Sequence, residues 1–245
     1  MTVLVAPAKL TWFLEVTARR SDGYHVLRSE MVALDLVDTL TFSTGTGVTF
    51  HGSRPGVSAL DVTENLVTRT LSLVGREARV EVTKQIPLGG GLGGGSANAA
   101  AVLRWAGFTD LAAAAELGGD VPFCLVGGRA LVEGVGEIVR PLEFQERTVT
   151  LFLPQFSVNT AACYRAFDAL EQAPSGRNHL TAAAWSVEPR LKDLMGWIDA
   201  NFGVSVLAGS GSTVFVEGDV ADGTSKILES PVGPVEVLVA KTIPA

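Results

Sequence analysis

The 245-residue sequence has little cysteine, a deficit of positive charge and no long apolar run. Cys124 and Cys163 lie far apart and have no histidine at metal-ligand spacing, which favours two buried free thiols over a metal site. Nineteen Lys and Arg against 26 Asp and Glu give a net charge of −7, which argues against nucleic acid or an anionic membrane as a partner. Because the sequence also lacks an apolar run of about 18 residues and a secretory signal at Met1 to Phe13, we expect a cytoplasmic protein.

Hydrophobic residues make up 47% of the sequence and occur in short runs, which is enough material for a globular core. The alternation of predicted strands and helices restarts near Val149. Since the chain is longer than the commonest domain size, we expect two domains, 1–145 and 146–245.

Glycine is concentrated in one stretch, GGGLGGGS, from Gly89 to Ser96. A strand is predicted before it, over Ala78 to Ile86, and a helix after it, over Ser96 to Trp105 with Ser96 as N-cap. Backbone N–H groups at a glycine turn and at a helix start form an anion site, so the pattern predicts bound phosphate. The alternative is a turn that only lets strand and helix pack closely, although each glycine costs roughly 0.5 to 1 kcal/mol relative to alanine in regular structure.

Two known phosphate motifs fit this stretch incompletely. Gly89, Gly91 and Gly94 satisfy the spacing of a dinucleotide fingerprint, and Asp110 follows at about the required distance. Asp110 nevertheless lies in a predicted loop, not at the end of a second strand, so a nicotinamide-dependent oxidoreductase is the weaker alternative. The sequence contains no Gly-Lys-Ser/Thr, which excludes the Walker motif and requires a cation from elsewhere in the chain.

Lys9 and Asp120 are candidates for that cation and for a general base. Lys9 lies in the apolar stretch VAPAKLTWFL, where Pro7 predicts a break between two short strands; the alternative is a solvated edge-strand lysine. Asp120 lies in GGDVPFC, where the alternative is a helix cap or turn residue. Together they would supply a phosphoryl-transfer site with a cation and with a carboxylate that orients the attacking hydroxyl.

Three stretches, PAKL, GGGLGGGSANAA and LAGSGSTVF, occur in the order of the three motifs of the GHMP kinases, the superfamily of galactokinase, homoserine kinase and mevalonate kinase, which the chain resembles. The resemblance implies a two-domain α+β fold, with an N-terminal domain like the second domain of ribosomal protein S5, a C-terminal ferredoxin-like domain and an active site between them. DGYH, GGDVPF and EGVGE resemble the branch that uses ATP to phosphorylate the 2-hydroxyl of a cytidylylated methylerythritol in non-mevalonate isoprenoid synthesis. A homoserine- or mevalonate-type kinase is the alternative within the superfamily.

The resemblance also implies roles for individual residues. It assigns catalysis to Lys9 and Asp120. It assigns ATP binding to Asn65, Gly89, Gly90, Gly91, Leu92, Gly93, Gly94, Gly95 and Ser96. It assigns acceptor binding to Thr11, Tyr24, His25, Thr160, Tyr164, Gly209, Ser210 and Gly211.

Some of these implied details remain open. One of Tyr24 and His25 would stack on the cytosine while the other hydrogen-bonds its edge, and Tyr164 would form a second aromatic wall. Many relatives have asparagine where this chain has Thr11. Mg²⁺ is expected with ATP, but apart from Ser96 as a candidate the sequence identifies no ligand for it. The small-molecule acceptor is the only partner implied, and the chain could be a monomer or a homodimer.

Overall fold

The computed structural model describes residues 1–54, 56–171 and 174–245. The strands are β1 Thr2–Arg19, β2 His25–Ser43, β3 Gly47–His51, β4 Arg79–Thr83, β5 Arg129–Gly134, β6 Ile138–Pro141, β7 Thr148–Pro154, β8 Ser205–Leu207, β9 Val214–Glu217, β10 Lys226–Ser230 and β11 Gly233–Lys241. The helices are α1 Leu66–Leu73, α2 Gly94–Ala106, α3 Leu111–Leu117, α4 Val121–Val126, α5 Thr160–Asp168, α6 Thr181–Val187 and α7 Arg190–Asn201, with a 3₁₀ turn at Val57–Ala59.

The first sheet is built around a long antiparallel pair, β1 and β2. On its other side β2 pairs first with β5 and then with β4, which gives the order β3-β4-β2-β5-β6. The prediction of two short strands separated at Pro7 was wrong, because β1 is continuous. Instead of a break, the pairing of β1 with β2 shifts register between Pro7 and Lys9.

The glycine stretch connects β4 to α2 in the predicted order of strand, loop and helix. The helix begins two residues earlier than predicted, at Gly94, and its N-cap is Gly93, not Ser96. Gly93 has φ +68°, a left-handed conformation that glycine adopts at little cost. Helix α2 packs against β1 and β2, and its residues from Ala97 to Leu103 are all buried.

The second sheet has the order β10-β11-β7-β9-β8, and helices α5, α6 and α7 lie between β7 and β8 in the chain. Its core is connected to that of the first sheet. Val149, Leu151 and Phe215 belong to the same buried cluster as Ala6 and Leu10 of β1. The fold therefore places the middle of β1 beside residues of both sheets.

Both cysteines are free and buried, which confirms the prediction made for them. Across the described residues, no helix is long and apolar enough to cross a membrane.

Candidate active site

A lysine and an aspartate meet where β1 passes the start of α4. Lys9 Nζ lies 3.1 Å from Asp120 Oδ2 and donates a hydrogen bond of 3.2 Å to Thr11 Oγ1. Lys9 is only 4% exposed, so the alternative of a solvated edge lysine was wrong. Asp120 occupies the N-cap position of α4, but its side chain caps no backbone N–H. A third of that side chain is exposed, so the carboxylate is held by Lys9 and remains open to a ligand.

The glycine loop lies directly on Lys9. The Lys9 backbone N–H donates to Leu92 O at 3.0 Å, which ties β1 to the loop. A Cβ built on Gly93 would lie 2.7 Å from Lys9 Cγ, closer than any side chain can approach. Glycine at this position lets the loop rest on the aliphatic part of Lys9 while its ammonium reaches Asp120.

The third of the three motifs, LAGSGSTVF, also lies against Lys9. A Cβ on Gly209 would lie 3.5 Å from both Lys9 Nζ and Thr11 Oγ1. Gly91 in turn lies against this motif, because a Cβ there would be 3.0 Å from Gly211 O. Two loops that are distant in the sequence therefore enclose the Lys9 ammonium.

Two side chains hold the third motif in position. Asn178 is buried and donates from Nδ2 to Leu207 O at 2.8 Å and to Gly209 O at 2.7 Å. Ser210 Oγ lies 2.8 Å from Thr160 Oγ1, which links the motif to the first turn of α5. Thr160 and Ser210 are among the residues that the resemblance assigns to acceptor binding. Asn178 was missed, because a single asparagine in a polar loop gives no local signal.

An aromatic cluster borders the Asp120 side of the site. The rings of His25 and Tyr164 are stacked with centroids 4.8 Å apart, and the Phe167 ring is perpendicular to His25 with centroids 5.9 Å apart. Burial raises the pKa of Tyr164 above its ordinary value, and the nearby Asp120 carboxylate adds to the rise. The Tyr164 hydroxyl therefore stays protonated. Tyr24 is 66% exposed, so its ring is open to a ligand.

Cys124 lies near Asp120 but is not a nucleophile. The pKa of its thiol is raised to about 12, mainly by burial; the Asp120 carboxylate adds to the rise, and Lys9 and Arg104 oppose it. The thiolate is the reactive form of cysteine, and a pKa this high keeps Cys124 protonated near neutral pH.

Asn65 and Ser96 lie at the starts of neighbouring helices. Asn65 is the N-cap of α1, where its side chain accepts from Thr68 N at 3.0 Å. A Cβ on Gly95 would lie 3.3 Å from Leu66, the residue after Asn65, so α1 begins beside the glycine loop. Ser96 lies in the first turn of α2 and is half-buried.

A buried polar cluster beneath the glycine loop was not foreseen from the sequence. Lys84 Nζ is paired with Asp38 Oδ2 and donates to Asn98 Oδ1 at 2.9 Å. The other oxygen of Asp38 accepts from the backbone N–H groups of Gln85 and Ile86 at 2.7 and 2.9 Å. The cluster joins β2, the strand end after β4, and α2. A sequence signal is absent because Asp38 and Lys84 each resemble ordinary polar strand residues.

The chain has the fold of a GHMP kinase. The model of the "GHMP kinases N terminal domain" family matches residues 65–128, which include Asn65, the glycine loop and Asp120. A crystal structure of mevalonate kinase superimposes over the whole of both chains with a TM-score of 0.63 at 11% identity, a likeness of fold alone.

Closer relatives define the family more narrowly. A crystal structure of 4-(cytidine 5'-diphospho)-2C-methyl-D-erythritol kinase covers both chains fully, with a TM-score of 0.76 and 30% identity. The 4-diphosphocytidyl-2-C-methyl-D-erythritol kinase of Acinetobacter baylyi is 32% identical over an alignment 256 positions long, which covers 94% of this chain and 91% of the relative. The chain belongs to the 4-diphosphocytidyl-2-C-methyl-D-erythritol kinase family.

The contact between Gly93 and Lys9 leads to a first prediction. Gly93→Ala should lower kcat/KM for the kinase reaction roughly 10- to 100-fold, because the new methyl group displaces Lys9 from its position between the loop and Asp120. The matched control is Gly107→Ala at the other end of α2, where φ is +72° and no atom lies within 4 Å of the added Cβ. Thermal melting of both variants measures the backbone strain, which should be similar in the two. Steady-state kinetics measures the displacement of Lys9, which should lower activity in Gly93→Ala alone. Equal activity in the two variants would contradict the role given to this contact.

Proposed function

We propose that the chain transfers the γ-phosphoryl group of ATP to the 2-hydroxyl of 4-diphosphocytidyl-2-C-methyl-D-erythritol. The observation that carries the proposal is the buried Lys9 ammonium, which lies 3.1 Å from the partly exposed Asp120 carboxylate. The glycine loop lies on one side of this pair and the aromatic cluster on the other. Family membership supports the same donor and acceptor.

In the reaction, Asp120 orients the acceptor hydroxyl and accepts its proton. The acceptor oxygen forms a bond to the γ-phosphorus, the bond from that phosphorus to the bridging oxygen breaks, and ADP leaves. Lys9 has three N–H donors, of which Asp120 and Thr11 use two, so the third can stabilise charge on the transferring group. Little covalent chemistry is required of the protein, because phosphoryl transfer depends mainly on position and electrostatics.

The loop from Gly89 to Gly95 would hold the phosphates of ATP. Its residues have no side chains except for that of Leu92, which is buried, so a phosphate can reach the backbone N–H groups. The first turn of α2 adds free donors and the positive end of the helix dipole. The motif from Gly209 to Gly211 would close the site from the opposite side, and Asn65 would line the adenine pocket at the start of α1.

Mg²⁺ would enter on the nucleotide. Within the described chain no group of three or more His, Cys, Asp or Glu could hold a metal ion alone. The hydroxyl of Ser96 is an oxygen donor that suits Mg²⁺ when phosphates and water complete its shell. Bound in this way, the ion would neutralise charge on the β- and γ-phosphates.

The acceptor would place its cytosine against Tyr24, His25 and Tyr164, and its polyol near Asp120, with Thr11 and Thr160 as polar contacts. The chain would form two domains, 1–145 and 146–245, with the site between them. The first would be of the S5 domain 2-like type and the second of the ferredoxin-like type. The chain could act as a monomer or a homodimer.

A coupled assay of ATP consumption tests this function. The purified chain should phosphorylate the cytidylylated methylerythritol in preference to methylerythritol 4-phosphate, mevalonate and homoserine, and two-dimensional NMR of the product should place the new phosphate on the 2-hydroxyl. Preferred turnover of mevalonate or homoserine would overturn the choice of acceptor. Thermal stabilisation by NAD and not by ATP would favour the oxidoreductase, which the relatives do not support.

A further inference from the structure

Asp168, the last residue of α5, is bound to His25 in the aromatic cluster. Its Oδ1 lies 2.6 Å from His25 Nε2, a short hydrogen bond between side chains far apart in the sequence. The His25 side chain is 8% exposed and that of Asp168 is 25% exposed. The guanidinium of Arg19 lies 3.4 Å from the other carboxylate oxygen. A carboxylate flanked in this way acts as an acceptor, so His25 Nε2 carries the hydrogen.

This pairing determines what His25 can offer to a ligand. With the hydrogen on Nε2, the neutral imidazole has only a lone pair on Nδ1, which therefore accepts hydrogen bonds and cannot donate them. In the described part of the chain no residue hydrogen-bonds to Nδ1, so this acceptor is available. Its direction is fixed, because the ring is stacked on Tyr164 at an angle of 26° and packs perpendicular to the ring of Phe167.

One face of α5 provides this arrangement. Tyr164, Phe167 and Asp168 stand at positions i, i+3 and i+4, which lie next to each other on a helix surface. His25 begins β2 directly after a turn in which Arg20 N donates to Tyr24 O at 2.7 Å. The helix therefore supplies a stacking wall and a hydrogen-bond acceptor to the same imidazole.

Cytosine and uracil differ at the position that an acceptor on His25 would read. The 4-amino group of cytosine donates hydrogen bonds, whereas O4 of uracil only accepts them. We propose that Asp168 is a specificity-determining residue, which holds His25 Nδ1 as an acceptor and so selects a cytidylylated over a uridylylated substrate. The inference rests on the proposed function, since it takes His25 as the residue that contacts the base edge.

Asp168→Asn tests the inference with little change of shape. The guanidinium of Arg19 only donates, so it should hold the amide oxygen of asparagine on its own side and turn the NH₂ group toward His25. That group donates to Nε2, which moves the imidazole hydrogen to Nδ1. We expect KM for the cytidylylated acceptor to rise at least tenfold, with kcat and KM for ATP close to wild type. The preference for cytidylylated over uridylylated acceptor, as a ratio of kcat/KM, should fall by at least tenfold. Long-range ¹H–¹⁵N spectra of the free enzyme should show His25 protonated on Nε2 in wild type and on Nδ1 in the variant.

Two further variants make the result specific. Asp168→Glu keeps a carboxylate acceptor and should retain the nucleobase preference and the Nε2–H form. Asp193→Asn makes the same change of charge at an exposed position of α7 and should change neither. If the wild type turns over the cytidylylated acceptor but Asp168→Asn keeps the same nucleobase preference, the role given to Asp168 is overturned and the proposed function stands. A wild type with no turnover of that acceptor would overturn the proposed function and the cytosine selection with it.

Discussion

Asp120→Asn is expected to lower kcat about 10³-fold while KM for ATP stays close to that of wild type. Asparagine preserves the size of the side chain but cannot accept a proton from the acceptor hydroxyl, and it removes the negative charge 3.1 Å from Lys9 Nζ. ATP should still bind, because its contacts are expected from the glycine loop and α2. Single-turnover kinetics with saturating ATP, together with calorimetric titration of an ATP analogue, separate the loss of chemistry from any loss of binding.

Asp110→Asn is the matched control for this change. Asp110 is also at a helix N-cap, where its carboxylate accepts from Ala112 N at 3.0 Å and Ala113 N at 3.1 Å. It therefore has the capping role that Asp120 lacks. Its substitution should cost about 1 kcal/mol of stability or less and leave kcat unchanged. A near wild-type kcat in Asp120→Asn would show that the carboxylate is not the proton acceptor.

The sequence predicted those parts of the site that have a strong local pattern. A cluster of glycines between a predicted strand and a predicted helix favours an anion-binding loop, and a lysine within an apolar run favours burial. The predicted loop position was correct, but the helix start was not. Gly94 and Gly95 have low helix propensity, and they are helical here because the left-handed turn at Gly93 fixes the backbone before them.

Contacts between distant segments could not be predicted in this way. The approach of Lys9 to Asp120 was proposed from chemistry and resemblance, because no rule of spacing relates β1 to α4. Asp168 was missed because a single acidic residue in a helix gives no local signal. It becomes significant only when α5 packs beside His25, which depends on how the two sheets share the core around β1.

The buried cluster beneath the glycine loop leads to the prediction with the largest effect on stability. Lys84→Met should lower the free energy of unfolding by about 3 to 5 kcal/mol, because it leaves the Asp38 carboxylate buried without its counter-charge. Urea unfolding followed by tryptophan fluorescence measures the change. Lys241→Met, at an exposed position of β11, removes the same charge and should have an effect within about 0.5 kcal/mol.

Adding Asp38→Asn to Lys84→Met should recover at least about 1 kcal/mol of the loss, since the buried charge is then removed while asparagine still accepts from Gln85 N and Ile86 N. The cluster also supports the loop, because a Cβ on Gly94 would lie 3.1 Å from Lys84 Nζ. We therefore expect KM for ATP to rise in Lys84→Met even at temperatures where the variant is fully folded. A variant that is destabilised but keeps a wild-type KM for ATP would show that the cluster stabilises the fold without positioning the phosphate loop.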